Sequence, residues 1–342
     1  MKIIMPAYIK SIEYDLPEGV LTNEMFAAEY PDWSVEKIEE KTGISRRRIA
    51  TKEEFASDMG VRAAEKIFAT GICNKDEIDY LLFCTQSPDY FLPTTACLMQ
   101  DRLGLSTKCG ALDFNLGCSG YIYGLGLAKG LVETGQAKKV LLITAETYSK
   151  YIHPGDKSVR TLFGDAAAAT LIQGASVSEP LIGPFAYGTD GRGGKNLMVP
   201  TGGLRIMRTD ESAKTIKDEN GNLRSQDNLY MNGPEIFTFT LLRVPALVKE
   251  ILAVSGKSME EIDLFVFHQA NKFMLENLRK KIKIPEDKFF MSFKNYGNTV
   301  SSTIPIALKD AQSEGKLKSG DLVMLVGFGV GYSWGATLIR WP

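Results

Sequence analysis

At 342 residues the chain is long enough to bury a full hydrophobic core, in one large domain or two of ordinary size. Its 44% apolar and 24% charged residues exclude disorder, collagen and coiled coil, and a net charge of -1 exerts no global pull on nucleic acid or anionic membrane. Five cysteines (73, 84, 97, 109, 118) without a CxxC pair, and only two histidines, argue against a disulfide framework, a structural zinc and a multi-histidine metal centre.

Along the chain, MKIIMPAYIKSIEYDLP carries neither the long apolar stretch nor the small-residue cleavage site of a signal peptide. The longest apolar runs fall short of the roughly 20 residues that span a bilayer, so no membrane insertion and a cytosolic location are expected. Residues 13–55 read as a mostly helical elaboration, including SVEKIEEKTGISRRRIA. IDYLLFC at 78–84 is short, apolar and rich in branched and aromatic residues, as a buried strand should be. FNLGCSG at 114–120 is a glycine-bearing turn before the apolar helix YIYGLGLAKGLVETG, which stops at a glycine. GLGLAKG inside that helix reads as small-residue packing rather than a dinucleotide loop. A strand, VLLITA, begins at 140, and His153 sits on a loop. Residues 187–232, dense in glycine and charge, read as a long surface insertion.

The later elements echo the earlier ones. IDLFVFH at 262–268 answers IDYLLFC, KNYGNTV at 294–300 answers FNLGCSG, and LVMLVG from 322 answers VLLITA, at offsets of 184, 180 and 182 residues. Alternating strands and helices imply largely parallel sheets covered by helices. Two halves, 1–176 and 177–342, related by a pseudo-dyad would bring Cys118, His268 and Asn298 together.

Each of the three suits one chemical task. Cys118 lies between glycines at a helix N-terminus, where the dipole and free amides favour thiolate; Cys84, without such a turn, reads as core. His268, ending its strand in HQAN, is placed to serve as a general base or electrostatic donor. Asn298 offers an amide that donates to a developing oxyanion without titrating. The tail GFGVGYSWG fails the GxGxxG pattern of a phosphate loop. The basic cluster Arg279, Lys280, Lys281, Lys283 on the amphipathic helix KFMLENLRKKIKI could receive an acidic carrier.

LPEGVLTN, TGISRRRIA, LGCSGY, LFGDAAAAT, MNGPEIF, FHQANK, YGNTVSS and GYSWGATLIRW, in this order over nearly the whole chain, resemble β-ketoacyl-acyl carrier protein synthase III of the thiolase superfamily. That resemblance implies an α/β thiolase fold of five αβαβα layers, a homodimer, and no metal or redox cofactor. It implies that Cys118 takes an acyl group from an acyl-CoA or acyl-carrier donor. Malonyl-acyl carrier protein then decarboxylates against His268 and Asn298, with the amides of Cys118 and Val330 as oxyanion hole. Carrier or CoA contacts would fall at Lys37, Lys41, Lys157, Asn271 and Lys272, and Leu92 would gate the acyl pocket. Departures from the family pattern at Lys37, Lys157 and Phe273, where tryptophan or arginine is usual, point away from acetyl-CoA as donor. Leu92 in place of phenylalanine allows a longer starter. Two alternatives are a same-fold acyltransferase acting on an alcohol, amine or specialised acceptor, and a non-catalytic acyl-binding subunit. Hydroxymethylglutaryl-CoA synthase would want a partner glutamate, and thiolase proper a second cysteine where Asn298 stands.

Overall fold

The computed structural model describes residues 5–177, 179 and 181–342, so the first four residues of the segment judged to lack a signal peptide lie outside it. The chain begins with strand β1 (Ala7–Asp15), then a short hairpin-like pair, β2 (Val20–Thr22) and β3 (Arg46–Arg48), enclosing helices α1 (Asn23–Glu29) and α2 (Val35–Thr42). Ser34 caps α2 by accepting from the Lys37 amide, and Gly43 ends it in the left-handed region. Only part of the 13–55 elaboration is therefore helical; the rest is the end of β1, the β2–β3 pair and the loops between them.

Helix α3 (Ala56–Ala69), strand β4 (Tyr80–Cys84), helix α4 (Thr95–Arg102), strand β5 (Gly110–Phe114), helix α5 (Gly120–Glu133), strand β6 (Lys139–Glu146), the single turn α6 (Lys157–Arg160) and strand β7 (Ala166–Gly174) complete a five-stranded sheet of order β1-β7-β6-β4-β5. A four-stranded sheet follows, built from β8 (Ile182–Thr189), β13 (Leu264–Phe267), β14 (Leu322–Gly329) and β15 (Ser333–Arg340) in the order β13-β14-β15-β8. Between β8 and helix α7 (Gly233–Ser255) lie the two-residue strands β9 (Leu197–Met198), β10 (Ile216–Lys217), β11 (Leu223–Arg224) and β12 (Tyr230–Met231). The segment read as insertion thus starts three residues inside β8, and its remainder forms two small ladders, β10–β11 and β9–β12.

Read from the opposite end, the second sheet runs β8-β15-β14-β13, matching β1-β7-β6-β4 in order and in direction of pairing. Even β5 has a counterpart, reduced to one parallel bridge between Phe265 and Phe289. Helix α5 and helix α9 (Thr303–Ser313) fill the space between the sheets. Tyr121, Ile122, Leu125 and Ala128 of α5, with Ile304, Ala307 and Leu308 of α9, join Leu82, Val140 and Leu142 from one sheet and Val266, Val323 and Leu325 from the other. Helices α3 and α4 cover the outer face of the first sheet through Met59, Ile67 and Met99. Helix α7 and helix α8 (Lys272–Ile282) cover the second through Leu247, Ile251 and Leu275. The result is five layers, αβαβα. Strands buried on both faces explain why their sequences are continuously apolar rather than alternating.

Candidate active site

Cys118 sits one residue before Ser119, the N-cap of α5, in the central layer. Only glycine fits beside it at the end of β14: a Cβ on Gly329 would stand 2.8 Å from the Cys118 Cβ and 2.9 Å from its Sγ. Gly327 and Gly329 therefore serve close approach of β14 to the cysteine turn. Burial is the dominant cause and, with Glu146, pushes the Cys118 thiol up to about 12, against the backbone amides of Cys118 and Val330, which act to lower it. The resting group is a neutral thiol; removal from water outweighs the helix-terminal effect that the sequence suggested.

His268 follows β13, its amide donating to the Val326 carbonyl at 2.8 Å. It is 2% exposed, and burial lowers its pKa to about 3, so the imidazole is neutral and cannot act as a standing cation. Its Nδ1 lies 2.8 Å from the Thr303 hydroxyl, and its ring meets the Phe328 ring edge-on. Asn298 is docked on the LFGD segment of the first half: its amide donates to the Leu162 carbonyl at 2.8 Å, and its carbonyl accepts from Gly164 at 3.0 Å. Gly297, at φ +77°, makes the turn that allows this. The Asn298 Oδ1 accepts from the Val300 amide at 2.9 Å, which leaves Nδ2, a donor, for whatever enters the site.

All three residues line one cavity of about 1350 Å³. Its walls include Phe163, Leu197, Ile236, Phe237 and Phe328, and Trp33, Lys41 and Asn271 also line it. Asp218, Asn222 and Arg224 from the β10–β11 hairpin also line it, so the segment read as a surface insertion supplies part of the cavity wall. Arg224 ties that hairpin down, pairing with Asp218 at 3.1 Å and with the buried Asp156 at 3.2 Å.

Of the other expected contact residues, Lys37, Lys157 and Lys272 are not in the cavity lining. Lys37 and Lys41 both stand over the Trp33 ring, at 6.0 and 5.6 Å, and Lys157 stands over Tyr30 at 5.6 Å. Asn271 caps α8, accepting from the Met274 amide at 2.9 Å. Leu92 is 82% exposed and does not line the cavity of its own chain. Sequence reasoning missed Thr303, the backbone of Val300 and the buried carboxylate of Glu146. Glu146 takes hydrogen bonds from Gln86, Ser87 and Ser301, and burial raises its pKa to about 8. A carboxylate at the end of an apolar strand was the available signal.

A cysteine, a histidine and an asparagine on one cavity, in a layered α/β scaffold of this topology, are the marks of a thiolase-fold condensing enzyme. Residues 112–191 match the family described as 3-oxoacyl-[acyl-carrier-protein] synthase III, and residues 252–341 match its C-terminal family. The β-ketoacyl-[acyl-carrier-protein] synthase III of Caldanaerobacter subterraneus subsp. tengcongensis is 35% identical over 95% of each chain. A crystal structure of a 3-oxoacyl-(acyl-carrier-protein) synthase III superposes with a TM-score of 0.97 at 54% identity, covering 98% of this chain and 100% of the other. That of the 3-oxoacyl-(acyl-carrier protein) synthase from Burkholderia xenovorans LB400 gives 0.89 at 37%, covering 99% and 95%. The chain belongs to the β-ketoacyl-[acyl-carrier-protein] synthase III family, and is an acyl-transferring condensing enzyme of that type.

Proposed function

We propose that Cys118 carries the acyl group, that His268 and Asn298 hold the enolate, and that the amides of Cys118 and Val330 form the oxyanion hole. The observation that carries this reading is the convergence of Cys118, His268 and Asn298 on one cavity, beside Gly329 at the end of β14. In the first stage the sulfur attacks the carbonyl carbon of an acyl thioester. The tetrahedral oxygen accepts from the two amides, and the donor thiol leaves with the proton that Cys118 gives up. In the second, malonyl-acyl carrier protein loses carbon dioxide. The electron pair of the broken C–C bond becomes an enolate whose oxygen accepts from His268 and from Asn298 Nδ2. The enolate carbon attacks the acyl carbon, a 3-oxoacyl thioester forms, and the Cys118 thiolate leaves and is reprotonated, as its raised pKa favours. Because both donors are neutral, they stabilise charge that exists only beyond the ground state.

The donor arm enters past Trp33, Lys41 and the β10–β11 hairpin, with Lys37, Lys157, Asn271 and Lys272 around the mouth for CoA or carrier phosphate. The chain acts as a homodimer of units each built from the halves 1–176 and 177–342. Support for a dimer face comes from the exposed apolar run Tyr90, Phe91 and Leu92, together with Leu112 on the edge strand β5. There Leu92 of one copy could reach the acyl pocket of the other. The five free cysteines suit a reducing cytosol.

The test is intact mass and peptide mapping after incubation with acyl-CoAs and acyl-carrier proteins from acetyl to dodecanoyl. A thioester on Cys118, absent in Cys118→Ala, is expected. No adduct from any donor on folded protein would overturn the acyl-enzyme reading.

A further inference from the structure

Arg47, in the middle of β3, is fully buried together with the charge it carries. Burial lowers its pKa only to about 10, so the guanidinium stays ionised at neutral pH. Its hydrogen bonds go to neutral acceptors. Nε donates to the Thr161 carbonyl at 2.7 Å and Nη1 to the Asn23 side-chain oxygen, while Nη2 has no partner. Among the described residues no carboxylate offsets it; burial is the one influence on its ionisation. A buried cation without a counterion costs several kcal/mol of folding free energy, about what a paired one avoids.

The place of this charge is specific. β3 runs between the two segments that hold Asn298: the Arg48 amide donates to the Tyr296 carbonyl at 3.3 Å, and the Asp165 amide to the Arg48 carbonyl at 2.7 Å. A Cβ on Gly297, the residue before Asn298, would stand 3.0 Å from the Arg47 Cγ. The guanidinium lies against the Thr161 carbonyl, one residue from the Leu162 carbonyl that accepts the Asn298 amide. Thr161, Leu162 and Asn298 all line the cavity, so Arg47 stands behind the stretch of wall on which Asn298 is docked.

His268 and Asn298 are neutral, and neither brings a full charge to the site. A cation shielded from water and left without a carboxylate keeps a field that either would cancel. Such a fixed field favours negative charge that appears only beyond the ground state. On the reading of Asn298 as an enolate donor, we propose that Arg47 is a positioning residue that fixes the wall behind Asn298 and, left unpaired, favours the enolate through its charge. The missing counterion is then a functional feature of the fold.

Two substitutions at Asn23 separate charge from packing, because Asn23 touches the guanidinium and does not line the cavity. Asn23→Asp is close in shape and gives Arg47 a counterion; Asn23→Ala disturbs the same contacts without adding charge. Asn23→Asp should slow decarboxylation of malonyl-acyl carrier protein about tenfold through kcat at unchanged KM, and Asn23→Ala by less than about threefold. Loading of Cys118, followed by intact mass, should stay within about threefold in both, since its oxyanion amides are untouched. Arg47→Lys, which keeps the charge, should retain more decarboxylation than Arg47→Met at equal loading. The Asn23 pair decides the question even where Arg47→Met fails to fold. Equal losses in Asn23→Asp and Asn23→Ala, or parallel falls in loading and decarboxylation, would make Arg47 merely structural and overturn the proposal. A wild type that loads no acyl group would sink the function assigned above and this inference with it; a wild type that loads, with either of those outcomes, removes this inference alone.

Discussion

At the residue scale, the site is built from groups kept neutral by burial. The Cys118 thiol is pushed up to about 12 and the His268 imidazole down to about 3, so neither is charged at rest. Charge develops only as the reaction proceeds, where fixed donors are worth most. His268→Ala and Asn298→Ala should each lower decarboxylation of malonyl-acyl carrier protein by about 100-fold or more, while acylation of Cys118 continues. Single-turnover assays of the two half-reactions separate these outcomes. Gly329→Ala should do the reverse. Its methyl would intrude on Cys118, and the rate of adduct formation should fall by about 100-fold, read by intact mass against time.

At the scale of the element, helix α5 joins the catalytic turn to the core. Gly124 packs against β6 so closely that a Cβ there would stand 2.7 Å from Leu142 Cδ1. Gly124→Ala should therefore destabilise the chain by about 1–3 kcal/mol through overpacking, despite alanine's better helix propensity. The midpoint of urea unfolding measures it. The β10–β11 hairpin is a different kind of element, held over the cavity by Arg224 rather than by a core of its own. Arg224→Ala should loosen it and raise KM for the acyl donor, with kcat of the loaded enzyme changed by less than about threefold.

For the molecule as a whole, two buried groups shape stability against pH in opposite senses. Glu146 has its pKa raised from 4.5 to about 8, so the folded state keeps a proton that the unfolded chain releases. Its stabilising contribution is complete below 4.5 and is lost as pH rises through 8. His268 is lowered from 6.5 to about 3, so its contribution is complete above 6.5 and is lost as pH falls toward 3. Between 4.5 and 6.5 the two oppose each other, and above that only Glu146 acts. Melting temperature should accordingly fall by roughly 2 °C from pH 6.5 to 8, and Glu146→Gln should flatten that limb. A limb of equal slope in the variant would show that Glu146 is ionised in the folded protein. The same carboxyl takes hydrogen bonds from the first half at Gln86 and Ser87 and from the second at Ser301, and so joins the two halves of the chain.

The sequence by itself determined the alternation of strands and helices and the residues that meet. The largely parallel sheets it implied are mixed, with β1–β7, β6–β7, β14–β15 and β8–β15 antiparallel. Buried strands are continuously apolar, glycines punctuate the turns, and a repeat of about 180 residues carries Cys118 onto Asn298. These are signals of local composition and period, which one chain displays without its partners. Only the tertiary structure decided what the residues would be when they met. Cys118 reads as thiolate from its place before a helix, yet burial leaves it protonated, because desolvation depends on everything packed around the sulfur. The places of Val300 and Thr303 beside the site come from a positive φ and a 2.8 Å contact to a residue 35 positions away, neither of which leaves a mark in composition. The β10–β11 hairpin looked like surface because its sequence is polar. It lines the cavity because Arg224 finds Asp156, a pairing that exists only once the chain has folded.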